Sequence, residues 1–149
     1  ALFVLGTQFL LFKERYGKFY FLSSDPGLLV NKLKVVDWVY KTSKSDGFKV
    51  YTYSPHFWDY PYQYLIWWQA KTRYHYLPNK YFYLDNQPAY VRAKKEADSL
   101  FEERTATCDY LIIEPFYSQQ DWFLEWRGHF GSSQKTWEEG KTRVEKLCP

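Results

Sequence analysis

Tyr110-Leu111-Ile112-Ile113-Glu114-Pro115 decides the architecture. Its apolar run lacks polar alternation and is closed by an acid and a proline, the pattern of a central strand covered on both faces. Working upstream, Phe48-Lys49-Val50-Tyr51-Thr52-Tyr53 alternates and is rich in residues that favour strands, so it reads as a second strand. Between the two, Tyr62-Gln63-Tyr64-Leu65-Ile66-Trp67-Trp68-Gln69 follows Pro61 and is apolar nearly all round, which predicts a short buried helix.

The flanks extend the alternation. Ser24-Asp25-Pro26-Gly27 is a helix start, with Ser or Asp able to cap and Pro fitting the first turn. Leu29, Leu33, Val36 and Tyr40 then recur at helical spacing, which predicts an amphipathic helix over 27–44. A loop with a brief strand at 81–84 follows the buried helix, and Tyr90, Ala93, Ala97 and Leu100 predict a further helix over 89–103. Downstream, Trp122, Phe123, Trp126 and Phe130 predict a helix over 118–130. Glu139-Gly140-Lys141 then centres a terminal hairpin between Gln134 and Leu147. The expected fold class is α/β: a two- or three-layer sandwich with a small mixed sheet, about three main helices and a C-terminal hairpin.

Composition fits a folded domain and narrows its chemistry. The chain has 149 residues, 46% hydrophobic and 25% charged, which excludes intrinsic disorder. Twenty basic residues against seventeen acidic ones give +3, too weak an excess to argue for nucleic acid. Aromatic residues reach 23%, with 15 Tyr, 12 Phe and 7 Trp, and that is the unusual feature. Residues 13–149 read as one domain. Ala1–Phe12 is almost wholly apolar and is followed by Lys13, Glu14, Arg15 and Lys18. Twelve residues are too few to cross a bilayer, which needs about 20. The segment is either a buried first element or the end of a transmembrane helix. The chain contains no methionine, so Ala1 is read as following a processed or longer beginning.

Candidate chemistry concentrates between Tyr51 and Tyr64. This stretch leaves the C-terminal end of a strand, where open α/β sheets place their sites. Aromatic faces suit the apolar faces of sugar rings, while Asp59 and Gln63 could hydrogen-bond hydroxyls. The same rings could equally close the core, and both readings stay open. Glu114, ending the apolar strand, could converge with Asp59, and two carboxylates are the minimum for glycoside hydrolysis. His56, His75 and His129 are scattered, so no metal site is expected, and no cofactor either, since neither GxGxxG nor GxxxxGK[ST] occurs. Cys108 and Cys148 could pair in an oxidising compartment, but the expectation is a buried thiol and an exposed tail thiol. Residues 51–70 contain no Lys or Arg, so base stacking along a basic groove is not expected.

Three segments together carry a family resemblance: Ser24-Asp25-Pro26-Gly27 with Val36-Asp37-Trp38-Val39-Tyr40; Phe48 to Pro55 with Asp59 to Trp68; and Tyr110 to Pro115. Their order resembles the C-terminal, membrane-external domain of bacterial glycosyltransferases of the dolichyl-phosphate-mannose protein-mannosyltransferase-like superfamily, over residues 20–130. In that family a multi-pass membrane body moves sugar from a polyprenyl-phosphate carrier to an acceptor. Its acidic catalytic residues lie in a loop after the first membrane helix, a segment this sequence does not contain, so no catalytic residue is carried over. The resemblance implies a non-catalytic domain on the extracytoplasmic side of the cell membrane, anchored through Ala1–Phe12. It would contact the acceptor or lipid-linked sugar, or support the membrane body. The expected contact surface is Tyr53, His56, Trp58, Asp59, Tyr60, Tyr62 and Gln63, with Glu114 nearby. A freestanding carbohydrate-active hydrolase using Asp59 and Glu114, and a protein-interaction domain, are the alternatives.

Overall fold

The computed structural model describes residues 27–44, 46–54, 59–84, 101, 104–115 and 120–149. Among the described residues, three helices and a five-stranded mixed sheet form the α/β sandwich. In chain order these are α1 (Leu29–Ser43), β1 (Gly47–Tyr53), α2 (Tyr60–Gln69), β2 (Lys80–Phe82), β3 (Ala106–Ile113), α3 (Gln120–Gly128), β4 (Lys135–Glu139) and β5 (Thr142–Leu147). The helix expected over 89–103 falls almost wholly outside the described residues, as do Ala1–Phe12 and Ser24–Pro26.

The strand order is β2-β1-β3-β5-β4. β1 runs parallel to both β2 and β3, while β5 pairs antiparallel with β3 and with β4. β3 is thus the central strand that its apolar run demands, and Tyr110, Leu111 and Ile112 are fully buried. Pleating sends alternate residues to opposite faces. Val50, Tyr110, Ile112 and Val144 face α1 and α2, forming one core with Val35, Val36, Val39, Leu65 and Ile66. Tyr51, Tyr53, Leu111, Ile113 and Leu147 face α3, forming a second core around Phe123 and Trp126. The Trp126 indole N–H donates to the Tyr83 carbonyl at 2.8 Å, so the largest ring of that layer is buried with its polar group satisfied. Gly47 opens β1 where a side chain has no room: a Cβ there would lie 2.3 Å from the Thr105 carbonyl oxygen.

Three local expectations are corrected. Leu33, Val36 and Tyr40 of α1 pack on the core as expected, joined by Val35 and Val39, whereas Leu29 is 61% exposed at the helix start. Leu28 occupies the N-cap without a side-chain cap bond, so α1 begins at Leu29 rather than at 27. The cysteines are not free thiols: Cys108 and Cys148 form a disulfide. Its cause is register. Asp109 lies opposite Leu147 in the antiparallel ladder, so the next pair outward brings the two cysteines to a Cα separation of 4.3 Å.

After α2 the chain continues as a π-turn over Ala70–Tyr74, closed by the His75 N–H donating to the Ala70 carbonyl at 2.7 Å. This turn lays the Tyr74 ring flat on Tyr40, with centroids 4.2 Å apart. The Tyr74 hydroxyl donates to Asp37, which also meets Arg73 at 2.6 Å and Lys41 at 2.5 Å.

Burial raises the hydroxyls of Tyr40, Tyr62 and Tyr110 in the first core. Tyr110 is pushed up to about 12, and Tyr40 and Tyr62 are driven higher. The unfolded chain ionises these groups near the ordinary value of 10.0 while the folded chain keeps their protons. Stability is therefore fully present below pH 10 and is lost as pH rises from there toward the folded values. The phenolate absorbance belonging to Tyr110, read as the difference between the parent and Tyr110→Phe, should appear together with the loss of far-UV circular dichroism. Tyr110→Phe should move the unfolding transition to higher pH, and a Tyr110 phenolate signal that precedes unfolding would count against its burial.

Candidate functional site

The layers single out one end of the sheet. β1 leaves its C-terminal end toward α2 on one face of the sheet, and β3 leaves toward α3 on the other. Adjacent parallel strands whose connections diverge in this way make a switch point, the place where open α/β sheets receive ligands. At this end the Glu114 N–H donates to the Tyr53 carbonyl at 2.9 Å, holding Ser54 and Glu114 side by side.

Glu114 follows Tyr110 and Ile112 in the pleat, so its side chain belongs to the face carrying α1 and α2. Its Oε1 accepts from the Lys32 ammonium and its Oε2 accepts from the Ser54 hydroxyl at 2.8 Å. The Lys32 and Glu114 side chains are 12% and 5% exposed, so this is a nearly buried ion pair. The Lys32 ammonium also lies 4.4 Å from the centre of the Tyr62 ring, a cation–π contact. Burial, with the negative charge of Glu114 beside it, holds the Tyr62 hydroxyl well above its ordinary range. Thr142, buried at the start of β5, partly offsets the shift, and the hydroxyl itself is buried without a hydrogen-bond partner of normal geometry. α1, α2 and the ends of β1 and β3 thus meet around one carboxylate.

The residues expected at the site are distributed as follows. Tyr62 and Glu114 come together, joined by Lys32 and Ser54. Asp59 sits at the N-cap of α2, buried, with its Oδ1 accepting from the Gln63 amide at 2.8 Å. Tyr53 points to the opposite face, packed on Phe123 and Trp126. Tyr60 is 41% exposed. His56 and Trp58 lie outside the described residues. Asp59 and Glu114 each have their own hydrogen-bond partners, Gln63 for the first and Lys32 with Ser54 for the second.

Lys32, Ser54 and Thr142 were not anticipated. Lys32 carried a readable clue, because it precedes Val35, Val36 and Val39 by three, four and seven residues and so shares their face. A cation in phase with a buried stripe needs an anion opposite. Among the described residues, no group of three or more His, Cys, Asp or Glu could hold a metal ion. No described helix is long and apolar enough to cross a membrane.

No family model, curated protein or solved structure matches the chain.

Proposed function

We propose that this chain is a non-catalytic, extracytoplasmic domain of a membrane glycosyltransferase-like protein, contacting the acceptor or the lipid-linked sugar or supporting the membrane body. The Cys108–Cys148 bridge carries the compartment, because structural disulfides form and persist where the surroundings are oxidising. The segments that resemble the glycosyltransferase family include parts of α1, β1, α2 and β3, the elements gathered around Glu114. Glu114 favours a structural role over acid–base work, since both of its oxygens already accept hydrogen bonds from this chain's own side chains.

Binding of an acceptor glycan or a polyprenyl-phosphate sugar analogue, followed by nuclear magnetic resonance titration, tests the contact surface. Tyr60→Ala and Trp58→Ala should each weaken binding by about tenfold, the loss of one stacked ring, with circular dichroism unchanged. Unfolding of these variants would make the rings structural and remove the contact assignment. Equal affinity in parent and variants would do the same.

A further inference from the structure

The exposed face of α2 is aromatic along its whole length. Tyr60, Tyr64 and Trp68 are 41%, 61% and 38% exposed and fall at i, i+4 and i+8, one above the other on the helix surface. They span about 12 Å at 1.5 Å per residue. Trp67 flanks the stripe, its ring 6.3 Å from that of Tyr64, and the Lys71 ammonium lies 5.2 Å from the Trp67 ring centre. Helical spacing continues the stripe into Lys71, which follows Trp68 by three residues and Tyr64 by seven.

The chain segment that carries this face is basic. From Tyr60 to Leu84 the sequence holds Lys71, Arg73 and Lys80 and no Asp or Glu. At the C-terminal end of the stripe, Asp37 meets two cations, Lys41 and Arg73, and Lys71 adds a third positive charge. That end therefore stays net positive. Tyrosine and tryptophan present apolar bodies with polar tips, the side chains that settle at the boundary between headgroups and acyl chains. A helix lying parallel to that boundary would set all three stripe rings at one depth, with the cations among anionic headgroups.

We infer that the Tyr60–Tyr64–Trp68 face of α2, with Lys71 at its end, docks on an anionic phospholipid surface. This does not depend on the glycosyltransferase reading. A glycan-contacting domain and one without any sugar ligand could both rest on a bilayer in this way.

The test is co-sedimentation of the 149-residue chain with vesicles of phosphatidylglycerol and phosphatidylcholine, and with vesicles of phosphatidylcholine alone. The apolar Ala1–Phe12 segment is common to parent and variants, so differences between them report the helix face. Tyr64→Ser with Trp68→Ser should weaken binding to the anionic vesicles by about tenfold or more. Lys71→Glu, at an exposed position, should weaken it by about tenfold on anionic vesicles and leave neutral vesicles unaffected. Variants that bind as the parent does, or a parent indifferent to lipid charge, would overturn the inference. So would stripe variants that abolish self-association without changing vesicle binding, since the occupant would then be a second copy.

Discussion

Replacing Glu114 with alanine should destabilise the domain by about 3–5 kcal/mol, read as a lower denaturant midpoint with an unchanged slope. The cost comes from what remains behind. The Lys32 side chain is 12% exposed and would keep its charge without the carboxylate opposite, and the Ser54 hydroxyl would lose its acceptor. Lys32→Met alone strands the carboxylate in the same way. The double variant, Lys32→Met with Glu114→Leu, should recover most of the loss, because removing both charges also removes their desolvation penalty. A single-variant cost under about 1 kcal/mol would mean that the Lys32 stem swings its ammonium to water. The pair would then resemble a surface salt bridge.

The second large effect belongs to the disulfide. Cys108 and Cys148 are 40 positions apart, and closing a loop of that size restricts the unfolded chain by about 4 kcal/mol in the chain-entropy description. The loop encloses α3 and the β4–β5 hairpin. Reduction, or Cys108→Ser with Cys148→Ser, should lower the melting temperature by about 10 °C. Added reductant should have no effect on the double-serine variant. A parent melting curve insensitive to reductant would show that the bridge contributes nothing to the native balance.

These two features mark the limit of what the sequence discloses. Element type was legible wherever periodicity was strong: α1, β1, α2, β3, α3 and the final hairpin all form where their patterns place them. Within α1 the spacing gave the helix and most of its covered face, with Leu33, Val36 and Tyr40 on the core, but it extended the stripe one turn too far, to Leu29. Leu29 fits the same period as Leu33, Val36 and Tyr40, and periodicity does not mark where along the helix coverage stops. The cysteine pairing was illegible because it depends on β5 inserting between β3 and β4, a long-range choice that no local residue announces. Glu114 was recognised as ending a strand. Its partner Lys32 lies 82 positions away, and their meeting needs the layer order as well as the helix phase.

The π-turn at Ala70–Tyr74 sets how the helix and the chain beyond it are timed against each other. An i to i+5 closure accommodates one residue more than an α-turn would. Each residue of an α-helix advances the side chain by about 100° around the axis. Upstream of the turn, Tyr60, Tyr64 and Trp68 keep step on the outer surface, while downstream Tyr74 arrives against Tyr40 and Asp37. Deleting one residue within the turn would re-phase these two halves by about a quarter of a revolution, so that they could not both keep their present neighbours. Length at this point behaves as a two-position dial, and insertions or deletions here should be tolerated far less than substitutions.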